Sequence, residues 1–298
     1  FCEMNECVTQ TDFDPAAVKL TVNKWIVAET AKTAAGVTAA IEALRFNEAA
    51  GTIYHFVWDV FCDWYLEFLK PVLNGSQDET ARAEGRATAA WVRDRIFALL
   101  HPFMPFITEE LWARTAEHAQ PRASLLIEGP WPELGALPQD AEASAEMQWV
   151  IDLVSGVRSV RAEMNVPPSS KLSLVLKDAN AVAAARLDAN RDVIMTLGRL
   201  GHLSMADSIP DGSAQFVIGD AVAGLPLGDV IDFAKERARL EKDLGKIEAE
   251  IARFDAKLGN EKFVSRAPEE VIEEQREKRA EAAATAARLK EAVARLAT

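Results

Sequence analysis

Apolar residues in the first 160 positions recur at helical spacing, and the breaks between runs fall at prolines and capping residues. Asp14-Pro15 reads as a helix start, with helical pattern to about Leu44. Asn47 is positioned to cap the next helix, on which Ala50, Tyr54, Val57, Trp58, Phe61, Tyr65 and Leu69 form one apolar face until Pro71 stops it. A third helix is predicted over 78–100, before His101-Pro102. A fourth follows Pro105 and carries Ile107, Leu111 and Trp112, and a further one runs from about 138 to 162, after Pro130-Trp131-Pro132. Long helices with short connections predict an α-helical bundle.

The pattern changes at Asn165-Val166-Pro167-Pro168. Leu172, Leu174 and Leu176 alternate with polar neighbours, as in a strand. An alanine-rich helical stretch over 180–198 precedes strand candidates at His202–Met205, Gln215–Ile218 and Ala221–Leu227, punctuated by Gly212, Gly219, Gly224 and Gly228. This is a small α/β module.

From Val230 the spacing alternates three and four, a heptad seam through Val230, Phe233, Arg237, Leu240, Leu244, Ile247, Ile251, Phe254 and Leu258. A second seam runs through Ile272, Gln275, Arg279, Ala282, Ala286, Leu289, Val293 and Leu296, and Gly259-Asn260 and Pro268 separate the two. Acidic residues (Glu241, Asp243, Glu248, Glu250, Asp255) flank the first seam; Arg276, Lys278 and Lys290 flank the second. Folding at 263–268 predicts an antiparallel coiled coil, with Glu241 towards Lys290 and Asp255 towards Arg276. Its length is roughly 45 Å for ~30 residues per helix. The fold class is thus mainly α: bundle, α/β module, two-helix arm.

The net charge of −13 argues against a nucleic-acid binder taken whole, but it is unevenly spread. Residues 231–298 carry 15 Lys and Arg against 15 Asp and Glu, so residues 1–230 hold the entire acidic excess. Contact with RNA would therefore need local basic patches. One is predicted on the outer face of the first arm helix: Lys235, Arg239, Lys242, Lys246 and Arg253 lie farthest from the seam, with Arg266 at the tip. Such a stripe tracks a phosphate backbone, although a solvated coiled-coil face has the same composition.

Other candidate chemistry is sparse. Cys2, Cys7 and Cys62 have no zinc spacing and read as reduced cytosolic thiols; the histidines are scattered, and no metal site is expected. Asp59, Asp63 and Glu67 share a helical face without a nucleophile beside them, so surface charge is the expected role. No glycine-rich phosphate loop is present. Trp25, Trp58, Trp64, Trp91 and Trp112 lie on predicted helices; aromatics stack on unpaired bases, but most helical tryptophans belong to the core. No apolar run is long enough for a membrane span, and Phe1-Cys2-Glu3-Met4 reads as the interior of a longer chain.

A series of motifs resembles the valyl-tRNA synthetase family. In order they are Asn23-Lys24-Trp25-Ile26, Arg45-Phe46-Asn47-Glu48-Ala49-Ala50, Tyr54-His55-Phe56-Val57-Trp58, the run from Cys62 to Pro71, and His101-Pro102-Phe103-Met104-Pro105-Phe106-Ile107-Thr108-Glu109-Glu110-Leu111-Trp112. Arg158, Arg161 and Asn165-Val166-Pro167-Pro168 follow, then Phe263-Val264-Ser265-Arg266-Ala267-Pro268. Isoleucine and leucine enzymes of the class share the bundle motifs in weaker form; the arm distinguishes valine. The resemblance implies a C-terminal fragment: 1–13 a linker remnant, 14–164 the anticodon-binding domain, 165–229 the α/β module and 230–298 a tRNA-binding arm. It implies tRNA(Val) as partner, with neither DNA nor membrane, in a cytoplasmic monomer. Anticodon candidates are Lys24, Trp25, Arg45 and Asn47; arm candidates are Lys235, Arg239, Lys242, Lys246, Arg253 and Arg266. ATP and Mg2+ are implied for the parent enzyme, and no cofactor or catalytic residue for this chain, in which no His-Ile-Gly-His-like or Lys-Met-Ser-Lys-Ser-like string occurs. The alternatives are a non-catalytic helical interaction or self-association module, or the corresponding part of a sister class I synthetase for isoleucine or leucine.

Overall fold

The computed structural model describes residues 1–75, 78–116, 121–228, 233–260 and 268–295. The chain divides into two compact units, Phe1–Ile151 and Asp152–Thr298.

The first unit is helical. A 3-10 turn (Pro15–Ala17) leads to α1 (Thr21–Glu42), α2 (Phe46–His55), a π-helical stretch (Phe56–Tyr65), α3 (Leu66–Asn74), α4 (Glu79–Leu100), α5 (Pro105–Arg114), a second 3-10 turn (Leu126–Glu128) and the start of α6 (Ala141–Glu163). Ile26, Val37, Ile53, Tyr65, Phe68, Leu69 and Leu99 form its buried interior. Each such side chain contributes about 1.5–3 kcal/mol relative to exposure.

The structure corrects four local expectations. Asp14 caps only the 3-10 turn, accepting from Ala16 N; α1 begins at Thr21, where Leu20 has no capping side chain. The α1 start is served instead by Glu84 of α4, whose carboxylate accepts from the amides of Lys19 and Leu20 and from Asn23 Nδ2, each at 2.9 Å. A carboxylate there also suits the positive end of the helix dipole. Asn47 is no cap, because α2 already starts at Phe46 behind Arg45. Pro71 does not stop its helix, which continues to Asn74. It removes one hydrogen bond to the preceding turn and leaves the last turn intact, with Gly75 N donating to Pro71 O at 2.8 Å.

The fourth correction concerns the α2 face. Phe56, Phe61, Tyr65, Phe68 and Leu69 turn inward, whereas Tyr54 and Trp58 are 59% and 53% exposed. A π-helix takes more residues per turn than an α-helix, so the apolar face rotates along Phe56–Tyr65. Tyr65, fully buried, donates its hydroxyl to Asn23 Oδ1 at 2.9 Å, and burial pushes its pKa well above the ordinary value.

The second unit contains the rest of α6, then β1 (Leu172–Lys177), α7 (Ala181–Ala189), α8 (Arg191–Gly198), β2 (Leu200–Met205), β3 (Ser213–Ile218) and β4 (Ala221–Pro226). The sheet order is β2-β1-β4-β3, with β1 and β2 parallel and the other pairs antiparallel. Central β1 buries Leu172, Leu174, Val175 and Leu176. α6 packs closely on β3, since a Cβ at Gly156 would fall 2.2 Å from Phe216 Cε2.

Helices α9 (Phe233–Leu258) and α10 (Glu269–Arg295) form the antiparallel pair. The register differs from the expected one. Lys290 meets Glu248 at 2.9 Å and Arg279 meets Asp255 at 3.0 Å, while Glu241 pairs with Arg237 and Arg276 with Glu273 on their own helices. Leu240, Ala286 and Ala292 are buried. Seam residue Gln275 is also buried and satisfied, accepting from Lys257 Nζ at 2.9 Å.

The N-terminal thiols give one prediction. Cys2 is held down to about 7, first by a hydrogen bond from Cys7 and then by the charge of Arg93; burial raises Cys62. Because the thiolate is the nucleophile, iodoacetamide should label Cys2 before Cys62, with a rate profile half-maximal near pH 7. Peptide mapping that finds Cys62 labelled first would contradict this account.

Candidate nucleic-acid interface

In the first unit, α1 and α2 are joined by a tight reversal. Leu44 N donates to Ile41 O at 2.9 Å and Arg45 N to Ala40 O at 2.8 Å, with Leu44 in the left-handed region at φ 59°. A leucine there is strained, because its Cβ crowds the backbone. The reversal projects Leu44, Arg45, Phe46 and Asn47 into solvent. Arg45 pairs with Glu48 at 2.9 Å, an exposed contact of small energy. The Asn47 side chain makes no hydrogen bond among the described residues. Phe46, 53% exposed, edges an apolar cavity of about 520 Å³ lined also by Ile41, Phe103 and Trp131. Further along, Tyr54 and Trp58 tilt against one another, ring centroids 6.4 Å apart.

Two anticodon candidates are otherwise engaged. Trp25 is only 4% exposed and packs edge-on against Phe68, so it belongs to the core and has no open face for a base. Lys24 reaches Asp140 at 3.1 Å. Asp140 also accepts from Ala143 N at the start of α6; that bond first, then Lys24, holds its carboxyl below the usual range. Lys24 therefore ties two helices together. Phe46, Tyr54 and Trp58 take the surface positions instead, and the sequence pattern had assigned Tyr54 and Trp58 to an apolar inner face. Trp64, Trp91 and Trp112 are half-buried.

The arm candidates also separate. Arg239 is half-buried, donating to Asp243 at 3.2 Å and to the Glu163 carbonyl at 3.1 Å. That position suits a cation at the C-terminal end of α6 and anchors the arm base. Lys246 pairs with Asp243 at 2.8 Å; this bond is the first cause of the lowered Asp243 pKa. Lys242 and Arg253 are exposed and make no ion pair among the described residues. Lys242, Lys246 and Arg253 are spaced four and seven apart, so they share one helical face. Lys235 lies on α9 with its side chain outside the described set, and Arg266 lies outside the described residues.

Among the described residues, no helix is long and apolar enough to cross a membrane, and no three His, Cys, Asp or Glu side chains group as a metal site.

Comparison with known proteins finds matches over two stretches of the chain. Residues 23–176 match the anticodon-binding domain of tRNA ligase, and residues 232–297 match the valyl tRNA synthetase tRNA binding arm. The chain is 53% identical over 298 residues to a valine–tRNA ligase of Caulobacter vibrioides, covering 100% of this chain and 33% of that protein. It is 52% identical to that of Mesorhizobium japonicum, covering 94% of this chain and 30% of the relative, and 50% identical to that of Agrobacterium fabrum, covering 99% and 31%. The chain spans about a third of the length of these relatives and matches their C-terminal part. With the first match covering more than half of its residues, the chain belongs to the family of anticodon-binding domains of tRNA ligases.

Proposed function

We propose that this chain is the tRNA-gripping part of a valine–tRNA ligase, with residues 14–164 at the anticodon loop of tRNA(Val), 165–229 as a connecting module and 230–298 at the outer corner of the tRNA. The observation that carries the reading is the exposure of Phe46, Tyr54 and Trp58, with Arg45 and Asn47 at the start of the same helix, within the segment that matches anticodon-binding domains. Aromatic faces stack on splayed bases, and Asn and Arg read their edges. On the arm, Lys242, Lys246 and Arg253 contact phosphates, joined by Lys235 and the tip residue Arg266. Arg239 holds the arm base, and Lys24 supports the bundle.

In the parent ligase, valine and ATP form valyl-adenylate, and the valyl group passes to the terminal adenosine of the tRNA. ATP and Mg2+ are assigned to that parent, a cytoplasmic monomer. This chain contributes binding energy far from the reacting atoms, which orients the acceptor end.

Titrating a tRNA(Val) transcript against the chain at several salt concentrations tests the proposal. In K242A/R253A, affinity should fall and the log–log salt slope should flatten by roughly 0.9 per lost phosphate contact. Both side chains are exposed and make no ion pair among the described residues, so the fold should shift by less than about 0.5 kcal/mol. Unchanged affinity and slope in a folded variant would remove the arm from the proposed role, and failure of the parent chain to bind tRNA at low salt would remove the function.

A further inference from the structure

Three arginines meet in the second unit. Arg158 and Arg161 come from the last turns of α6, and Arg199 follows α8. Gly198 lies against α6, where a Cβ would sit in ordinary contact 3.5 Å from Val157 Cγ1. The three guanidinium groups line a cavity of about 410 Å³ whose other walls are Ala162, Val166, Pro168, Leu197 and Gly198. Among the described residues, no carboxylate lines it.

Each arginine is held by a backbone carbonyl. Arg158 Nε donates to Leu197 O at 3.3 Å, Arg161 Nη2 to Pro167 O at 3.2 Å, and Arg199 Nη1 to Pro168 O at 2.8 Å. Arg161 is only 9% exposed, and its Nη1 is buried without a hydrogen-bond partner among the described residues. A buried guanidinium donor left unpaired is costly, and an anion relieves it best. Burial first, then Arg199, lowers the Arg161 pKa. The neighbouring cavity shares Arg199 and adds Lys171 and one carboxylate, Asp192, which leaves it net positive as well. This concentration of cations stands in a chain of net charge −13.

We propose that Arg158, Arg161 and Arg199 form a binding site for a phosphate group, in which Arg161 Nη1 is the buried donor and the other two close around the anion. The phosphate comes either from an RNA backbone or from a free phosphate compound. The RNA source rests on the function proposed above, whereas the site itself does not.

Arg158 and Arg199 are exposed, and Arg199 has φ 52°, a conformation that glycine adopts freely. R158A/R199G therefore removes two of the three charges without disturbing the buried Arg161. The experiment has two arms on the full chain. In the first, inorganic phosphate is titrated at constant ionic strength while the Arg161 side-chain resonance is followed by 1H–15N spectroscopy. A saturable shift is expected, weakened roughly tenfold or more in R158A/R199G, the loss of one or two charge-assisted bonds. In the second, the affinity of a tRNA transcript should fall by about the same factor in that variant. A saturable phosphate shift with unchanged tRNA affinity supports the site and assigns it to free phosphate. No shift and unchanged tRNA affinity overturn the proposal. K242A/R253A in the same tRNA assay separates the cases: loss there with none in R158A/R199G leaves tRNA binding standing and removes RNA from this site.

Discussion

Replacing Asp94 with alanine is expected to destabilise the first unit by about 3–5 kcal/mol, the loss seen when one partner of a buried ion pair is removed. Asp94 is 1% exposed and lies between two guanidinium groups. Its Oδ1 accepts from Arg93 Nη2 at 2.9 Å and Nε at 3.1 Å; its Oδ2 accepts from Arg122 Nη1 at 2.7 Å and from Thr9 Oγ1 at 2.8 Å. Arg93 continues to the Cys7 carbonyl at 3.0 Å. Arg122 donates to the Trp112 carbonyl at 3.1 Å and to Thr115 Oγ1 at 2.9 Å, and stacks 3.6 Å over the Trp112 ring. One carboxylate thus joins the N-terminal segment, α4, α5 and the chain following α5. Without it, two arginines remain in a dry site with no counter-charge. For a unit of this size the melting temperature should fall by roughly 6–20 °C. Asp94→Asn, which keeps the shape and one acceptor, should fall between the two. Thermal melts followed by circular dichroism decide: a drop of less than about 2 °C for D94A would mean that the network contributes little beyond its packing.

That network illustrates which parts of the fold were legible. Regular apolar spacing marked α4, α6, the sheet strands and the two arm helices, because periodicity is a local property. Asp94, Thr9 and Arg122 are brought together from positions 28 and 85 residues away in the chain, and no local pattern announces that. The same is true of Glu84, which supplies from α4 the cap that Leu20 lacks. The arm was readable as a hairpin from its seams, but its register was not. Charges at seam-flanking positions are long and adaptable, so they meet partners in more than one register, as Lys290 does with Glu248. Of the candidate interface, the basic stripe was visible as spacing. Its partition into anchored Arg239, paired Lys246 and unpaired Lys242 and Arg253 depended on Glu163 and Asp243. An α-helical period groups Tyr54 and Trp58 with Phe61 and Tyr65 on one face, and the π-helical stretch Phe56–Tyr65 rotates them away from it.

Their exposure yields the second large effect. On the proposed function, Phe46→Ala and Trp58→Ala should each weaken tRNA(Val) binding by about 5- to 150-fold, since stacking a base on an aromatic contributes about 1–3 kcal/mol. Phe46 and Trp58 are each 53% exposed, so the folded state loses little when they are truncated. Trp58 also rests against Tyr54, and Phe46 edges the cavity walled by Ile41, Phe103 and Trp131; an unstacked base has an apolar surface to enter there. Stacking is not electrostatic. The fold-loss for F46A and W58A should therefore be the same at low and high salt, with the log–log slope unchanged, whereas K242A/R253A should flatten that slope. A tRNA transcript with substituted anticodon bases adds the decisive comparison: it should bind the unaltered chain more weakly, and F46A or W58A should then cost little further, because both changes remove one contact. If the aromatic variants lose affinity equally for the native and the substituted transcript, the two effects are independent. The aromatic face would then touch RNA somewhere other than the anticodon. If neither variant loses affinity, the exposed rings have no part in binding, and the anticodon reading falls back on Arg45 and Asn47.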